Sequence, residues 1–352
     1  MPSGPPPTAE RSIRAAGPTP PDATGPGAVL VMGDFGHERC GVGGSMAALV
    51  AGRTDIAVLD AAAPGRLRFL REARAAARTG AVAVAVYPTR STVYQRDLLL
   101  RAAVVRLAFG RRRFRLHLHE YRHLRKMLRW PATIALLLPQ RIVVSTESER
   151  DAVARALGGL VGRRCEVVVA VPTSGTSPTA TDLEASLGPD ADRDRTVGVF
   201  GMYRDDKDLS WLLDVLGRLD RRFDRLVLAG AGWEGRQWPS EITDRYELTA
   251  LGHVPRRALP GIFRSWGLAV APLSNPAHDG RMSVRTPLAF GVPTLTVGPR
   301  DAELTLDPPH LVLVPPHDPG AARLDVDRGE GAAAVAEFER AAGTATAAAL
   351  FG

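Results

Sequence analysis

Short apolar runs alternate with longer stretches of helical periodicity along most of the chain. Each run is short enough to be a strand that is buried on both faces, and the stretches between them are long enough for helices. In the amino-terminal half, this pattern predicts helices at about 65–78 and 92–109 and strands at 28–32, 55–60, 81–86, 114–119, 141–145 and 165–170. Such alternation is typical of a parallel sheet with helices on both faces.

The same alternation restarts at residue 195. It predicts a terminal helix at about 331–342 and strands at 196–200, 225–229, 247–251, 268–271, 293–297 and 311–314. Residues 173–194 are rich in Thr, Ser, Gly, Pro and Asp, which predicts a linker. The expected fold class is therefore α/β, with two Rossmann-like, doubly wound parallel-sheet domains, 28–172 and 195–352, that face a cleft. Ligands in such sheets bind beyond the carboxyl ends of the strands.

Composition limits the class of protein. The first 27 residues hold eight prolines and four glycines with almost no large apolar side chains, which predicts a disordered tail at 1–27 rather than a secretion signal. No apolar run reaches about 18 residues, so we expect no membrane-spanning helix. Cys40 and Cys165 are the two cysteines, too few for a disulfide framework or a metal cluster, which favours a cytoplasmic protein without a metal site.

Positive charge is concentrated in one segment. The net charge of the chain is +7, yet eleven basic residues face two acids between Arg96 and Arg129, so the remainder is slightly acidic. Within Arg111–Trp130, the later positions interleave leucine, methionine and tryptophan with basic residues. This segment is typical either of a solvated face or of peripheral contact with an anionic membrane. No nucleic-acid recognition motif occurs and aromatic residues are sparse, so we expect no nucleic-acid partner.

Lys207 is one of only two lysines among 45 basic residues, so arginine is the usual cation of this chain. It follows the strand predicted at 196–200 and a glycine turn, and it precedes an amphipathic helix. An ammonium group at such a junction is well placed to meet a phosphate, because helix N-termini also favour anions. The position also suits a surface lysine paired with neighbouring aspartates. A second predicted helix start carries Arg281, Ser283 and Arg285, which favours a diphosphate site.

Five short motifs follow one another between Arg195 and Gly298. They are Gly201 to Lys207, Leu-Ala-Gly-Ala-Gly at 228–232, Leu-Gly-His-Val-Pro at 251–255, Ala-Pro-Leu at 271–273 and Ala-Phe-Gly-Val-Pro-Thr at 289–294. In this order they resemble the nucleotide-sugar half of glycosyltransferases with the GT-B fold, most closely the retaining family 4 group. The amino-terminal half resembles the same family in Gly-Val-Gly-Gly-Ser at 41–45 and Leu-His-Leu-His-Glu-Tyr at 116–121.

The resemblance implies roles for individual residues. Lys207, with Arg204 nearby, would bind the donor diphosphate, and His119 would contact the donor sugar beside the reacting carbon. Gly43 and Gly44 would let the backbone approach the donor. The other implied donor-binding residues lie on the loops and the helix start of the second half: Gly201, His253, Val254, Arg281, Ser283, Val284 and Thr286.

The chain departs from the family pattern at three positions. His278 and Thr286 stand where the family commonly has two glutamates, of which the first touches the sugar and the second orients the ribose. Met202 stands where the family usually has an arginine, with Arg204 close by in the chain.

The bias toward arginine over lysine suggests a GC-rich bacterial genome. The resemblance implies a hexosyltransferase-like enzyme that moves a sugar from a UDP- or GDP-sugar to a hydroxyl acceptor, with retention and without a cofactor. The acceptor would be lipid-linked or a natural product, and the enzyme cytoplasmic, with peripheral contact at the inner membrane face. Two alternatives stay open. The missing glutamates would suit a protein that binds a nucleotide sugar without transferring it. Gly43, Gly44 and Asp60 would suit an NAD-dependent enzyme.

Overall fold

The computed structural model describes residues 27–33, 46–61 except 48, 66–87, 92–118, 132–168, 178–274 except 205, 206 and 220, 281–297, 311–314 and 328–351. The tail predicted at 1–27 lies outside these residues apart from Gly27. The described strands form two six-stranded sheets, and the strand pairs are parallel in both.

The strands lie close to the predicted runs. In the first sheet they are β1 (Ala28–Met32), β2 (Ile56–Asp60), β3 (Val82–Tyr87), β4 (Phe114–Leu118), β5 (Arg141–Val144) and β6 (Cys165–Val167). In the second sheet they are β7 (Thr196–Phe200), β8 (Arg225–Ala229), β9 (Glu247–Gly252), β10 (Leu268–Ala271), β11 (Thr294–Val297) and β12 (Leu311–Val314).

Apart from the last one, the helices lie between successive strands, as expected for parallel sheets. They are α1 (Arg66–Ala77), α2 (Thr92–Phe109), α3 (Glu147–Leu157), α4 (Gly159–Gly162), α5 (Ala180–Leu187), α6 (Leu209–Arg218), α7 (Ser240–Thr243), α8 (Leu259–Arg264), α9 (Met282–Ala289) and α10 (Arg328–Phe351). Short 3₁₀ turns lie at Arg111–Arg113, Arg193–Arg195 and Arg256–Ala258.

β1 is buried on both faces, which explains its unbroken apolar sequence. In β1, Val29 and Val31 join one hydrophobic cluster, whereas Leu30 and Met32 join a second cluster on the opposite face. Successive side chains of a strand point to opposite faces, so a strand between two helical layers is apolar at most positions.

Part of the segment predicted as a linker is helical. α5 begins with a capping box, in which Thr179 Oγ1 accepts a hydrogen bond from the Asp182 amide at 3.1 Å and the Asp182 carboxylate accepts one from the Thr179 amide at 3.0 Å. The helix packs on α8, and Ser186 Oγ donates to the Phe290 carbonyl at 3.1 Å. The Thr and Asp residues that suggested a linker therefore begin a helix that packs on the second sheet's layer.

The terminal helix α10 is longer than predicted and joins the two halves. With 24 residues it is about 36 Å long. Near its start, Arg328 donates to the carbonyls of Gly291 and Phe263 at 2.6 and 3.1 Å. At its other end, Leu350 packs in a cluster with Leu30 and Met32 of the first sheet. The helix therefore begins beside the second sheet and ends on the first.

We expect Arg115 to stabilise this junction. Its Nη1 donates to the carbonyls of Ala349 and Leu350 at 3.1 and 3.0 Å, at the C-terminal end of α10 where the helix dipole favours a cation. Burial, and secondarily the charge of Arg141, lowers the pKa of the Arg115 guanidinium. Arg115→Met should lower the free energy of unfolding by about 2 kcal/mol in urea denaturation. Arg141→Met, at an exposed site whose ion pair with Glu166 spans 3.8 Å, should change it by less than about 0.5 kcal/mol.

Candidate functional site

The second sheet has one topological switch point. Its strand order is β12-β11-β10-β7-β8-β9, so the chain winds outward from β7 on one side and from β10 on the other. The connections that leave the carboxyl ends of β7 and β10 therefore lead to opposite sides of the sheet, an arrangement that typically opens a crevice. Ligands of doubly wound sheets bind in this crevice.

Lys207 lies at this switch point. It forms an isolated antiparallel bridge with Leu273, which follows β10, and its amide donates to the Arg204 carbonyl at 2.9 Å. The amide of Asp208 donates to the Pro272 carbonyl at 3.0 Å, so the loops after β7 and β10 are joined on either side of the lysine. Only 8% of Lys207 is exposed, so its position is set by packing.

Gly201, Lys207 and Ser283 meet around one point. A Cβ atom built on Gly201 would lie 3.3 Å from Cβ of Ser283 and 3.9 Å from Nζ of Lys207. Gly201 directly follows the last residue of β7, whereas Ser283 lies in the first turn of α9. The structure thus brings together three residues that are up to 82 positions apart in the sequence.

The start of α9 presents backbone donors beside this point. Arg281 is the N-cap residue, and its carbonyl accepts hydrogen bonds from the amides of Val284 and Arg285, both at 3.0 Å. Among the residues that the structure describes, the amides of Met282 and Ser283 have no hydrogen-bond partner. A cation and two helix N-terminal amides therefore converge, which is the donor set that a phosphate group requires.

The loop after β7 is supported from behind by an aromatic side chain. Trp233 is 1% exposed, and its Nε1 donates to the Gly201 carbonyl at 2.9 Å. Tyr203 packs edge-on against Trp233 at 4.9 Å between ring centroids, and the Arg236 guanidinium lies 4.0 Å from the centre of the Tyr203 ring. Trp233 therefore supports this loop from its buried side.

Glu234 is a polar residue that the sequence analysis missed. Its carboxylate accepts a hydrogen bond from the Gly232 amide at 2.7 Å, and bonds from its own amide and from Gly232 lower the pKa of the carboxyl below its usual value. A Cβ atom on Gly252 would lie 2.4 Å from its Oε1, so the carboxylate rests on the end of β9, next to His253. The feature of the sequence that could have identified Glu234 is an acidic residue shortly after the glycine turn at 230–232.

The other predicted donor-binding residues differ in exposure. Arg204 and His253 are exposed, Val254 is partly buried, and Arg281 is 6% exposed at the start of α9. The side chains of Val284 and Thr286 are 2% and 1% exposed, and Val284 packs in a hydrophobic cluster with Val335 of α10.

Several predicted residues lie outside the described part of the chain. These are His119, Gly43, Gly44 and His278, together with most of Arg111–Trp130, which is described only to Leu118. The first sheet, of order β2-β1-β3-β4-β5-β6, has its switch point between β1 and β3, and Gly43 and Gly44 belong to the connection that follows β1.

Within the described ranges, there is no group of three or more His, Cys, Asp or Glu residues that could hold a metal ion. None of the helices described is long and apolar enough to cross a membrane.

Solved structures share this architecture. The chain is similar to Alr3699/HepE of Anabaena in complex with UDP and glucose, with 14% identity, 92% of this chain and 93% of that chain covered, and a TM-score of 0.53. The UDP-glucose complex of the same protein gives 16% identity, the same coverage and a TM-score of 0.51. A glycosyltransferase from Rickettsia africae has a TM-score of 0.49 at 10% identity over 92% and 94% of the two chains, a similarity too low to support a conclusion.

No protein-family model matches the chain, and no curated protein matches it by sequence. Because the sequence identity is so low, the structural similarity establishes the fold alone. The predicted fold class is thereby confirmed: the protein has the GT-B fold, with two Rossmann-like domains, each built on a doubly wound parallel sheet.

Proposed function

We propose that this protein is a glycosyltransferase that uses a nucleoside-diphosphate sugar as its donor. The observation that carries the proposal is the meeting of Lys207, Gly201 and the first turn of α9 at the switch point of the second sheet. A fixed ammonium group and helix N-terminal amides suit a diphosphate, and the lack of a side chain at Gly201 lets the start of α9 approach the loop after β7. The GT-B fold that it shares with a UDP-binding protein supports the same function.

In this proposal the chain's own groups stabilise the leaving diphosphate. Negative charge grows on the diphosphate oxygens as the bond to the sugar breaks. Lys207 and the amides at the start of α9 lie where they would stabilise this charge, and Arg204 would add an exposed guanidinium. In the retaining reaction that the sequence resemblance implies, the leaving phosphate would help to deprotonate the acceptor hydroxyl on the same face of the sugar. His119 would position the sugar.

Glu234 takes the role of binding the nucleoside in this proposal. The family's ribose-binding glutamate is replaced by Thr286, whose side chain is 1% exposed and so cannot reach a ligand in the crevice. Glu234 is an exposed carboxylate that its neighbouring amides keep ionised, beside Gly252 and His253 at the end of β9. A carboxylate accepts hydrogen bonds from the two hydroxyls of a ribose. We therefore assign the ribose to Glu234 and the base to the backbone of His253 and Val254.

Thermal unfolding with a panel of ligands tests the proposed function. UDP or GDP and their sugars should stabilise the protein, by about 2.7 kcal/mol at a concentration of 100 times the dissociation constant. NAD is the control ligand, because an NAD-dependent enzyme would bind it instead. Stabilisation by NAD alone would contradict the proposal. If a nucleotide sugar binds but is recovered intact after incubation with lipid-linked and natural-product hydroxyl acceptors, the non-catalytic alternative is favoured.

A further inference from the structure

An open pocket of about 550 Å³ lies at the amino-terminal ends of β4, β5 and β6. The turn before β4 contributes Arg111 and Arg112, the first residue of β5 contributes Arg141, and the turn before β6 contributes Arg163 and Arg164. Because the strands are parallel and in register, these turns meet at one edge of the sheet. We call this site the arginine pocket.

The charges of the arginine pocket are poorly balanced. Its lining holds five arginines and one carboxylate, that of Glu166, which leaves a net charge of +4. Glu166 lies 3.8 Å from Arg141, and among the described residues the side chains of Arg111, Arg112 and Arg163 have no hydrogen bond or ion pair. Like charges held this close repel each other, and a bound anion would relieve the repulsion.

One arginine of the pocket is fixed by the backbone. Nη1 of Arg164 donates to the carbonyl of Pro139 at 2.8 Å and lies 3.4 Å from that of Leu137. Burial, and next the charge of Arg111, lowers the pKa of the Arg164 guanidinium. Arg164 is therefore held in place beside another cation, so a ligand would meet a partly preformed site.

The pocket is separate from the proposed donor site. It lies on the first sheet, whereas Lys207 and Ser283 lie on the second. It also lies at the edge opposite the carboxyl ends of its own strands, roughly 15 Å away for strands of this length. Its occupant therefore need not be the nucleotide sugar, and the inference does not depend on the proposed function.

We propose that the arginine pocket binds a ligand that carries phosphate groups. Guanidinium groups pair with phosphate oxygens through two parallel hydrogen bonds, and several of them around one concave surface select a ligand of multiple negative charge. Phosphates of this kind occur in soluble polyphosphorylated molecules and in anionic lipid headgroups.

Two exposed leucines near the pocket make it possible to distinguish these two sources of phosphate. Leu160 is 81% exposed in the helix turn that leads into Arg163, and Leu137, whose carbonyl faces Arg164, is 49% exposed. Apolar side chains beside a basic cluster would enter the interface of a membrane, but they would gain nothing from a soluble phosphate. Their contribution therefore distinguishes a headgroup from a soluble ligand.

The test compares two probes on the full chain. The first probe is vesicles of phosphatidylglycerol in phosphatidylcholine, measured by co-sedimentation, with pure phosphatidylcholine as reference. The second is inorganic tripolyphosphate, measured by calorimetry. The double variant Arg111→Gln, Arg112→Gln removes two charges from an exposed turn and should weaken vesicle binding about 25-fold, since each charge contributes roughly fivefold. The matched control Arg221→Gln, Arg222→Gln alters two adjacent arginines before β8 and should leave it unchanged.

Leu160→Ser identifies the source. It should weaken vesicle binding and leave tripolyphosphate binding unchanged if the ligand is a lipid headgroup, and it should affect neither probe if the ligand is soluble. Binding of either probe that depends on Arg111 and Arg112 supports the proposal. No binding of either probe, or binding that the double variant retains in full, overturns it. UDP-dependent stabilisation should persist in the double variant, so this result is independent of the donor site.

Cys165, which also lines the pocket, reports whether the anion enters it. In a Cys40→Ser chain it is the sole cysteine. Burial raises the pKa of its thiol to about 11, so the rate of alkylation by iodoacetamide should rise about tenfold per pH unit up to that value. A probe in the pocket should slow alkylation several-fold at pH 9.5. Arginine-dependent binding without this protection would place the anion elsewhere and overturn the proposal.

Discussion

Lys207→Met should reduce the affinity for UDP or GDP, whichever nucleotide stabilises the wild-type protein, by about a hundredfold. Methionine keeps the length and most of the volume of the buried stem, so packing between the loops after β7 and β10 should survive. What is lost is the ammonium group beside Gly201 and Ser283. Loss of one partner from a desolvated charge pair costs roughly 2–5 kcal/mol, and a hundredfold corresponds to the lower part of this range.

Two controls separate this effect from misfolding. Arg221→Met removes an exposed cation from the turn before β8, away from the switch point, and should leave nucleotide affinity unchanged. The nucleoside without its phosphates should bind wild type and Lys207→Met equally, because the lysine is assigned to the diphosphate alone. Equal loss of nucleoside and nucleotide binding in Lys207→Met would indicate a distorted site and count against that assignment. An unchanged affinity for the nucleotide would place the diphosphate elsewhere.

Gly230→Ala should lower the free energy of unfolding by about 3 kcal/mol and also abolish nucleotide binding. A Cβ atom on this residue would lie 2.2 Å from the carbonyl oxygen of Gly201 and 2.8 Å from the amide nitrogen of Met202. Both contacts are with backbone atoms, which cannot rotate away as a side chain can. The added methyl group must therefore displace the loop that carries Lys207, and overpacking of this kind costs roughly 1–3 kcal/mol before backbone strain is added.

Gly235→Ala is the matched control for Gly230→Ala. Both glycines have positive φ, +152° and +72°, but a Cβ atom on Gly235 would have no neighbour within 4 Å. Alanine at 235 should therefore cost only the roughly 1 kcal/mol of a left-handed conformation and leave nucleotide binding intact. Urea denaturation and nucleotide titration of the two variants give the comparison. Equal losses of stability and binding at both positions would mean that backbone conformation, rather than the contact with Gly201, explains the effect.

Local sequence pattern predicted the two sheets well, for a physical reason. A strand buried on both faces is apolar at most positions, so runs such as Ala28–Met32 and Leu268–Ala271 are visible without tertiary information. The helix α5 inside the segment predicted as a linker was not predicted, because its polar residues are typical both of linkers and of helix starts. Only the capping box of Thr179 and Asp182 and the packing of α5 on α8 distinguish these two interpretations.

The candidate site was predicted only in part. Lys207 and Ser283 could be singled out because a rare lysine and a polar helix start follow predicted strands. The sequence could not show that Glu234 rests on Gly252, or that Thr286 is buried, since both facts depend on how loops and helices pack across the sheet. The sequence could not show the arginine pocket either, because its cations come from three separate turns that only strand register brings together.

By itself, the sequence determined the alternation of strands and helices, the two parallel sheets, and the residue types available for binding an anion. These properties follow from hydrophobic periodicity and from local chemistry, which act over a few neighbouring residues. Only the tertiary structure decided the strand order, and with it the switch point where Lys207 and Ser283 meet. It also decided that α10 begins beside the second sheet and ends on the first. Such contacts join residues distant in the chain, and their free energy comes from burial and packing that no local pattern encodes.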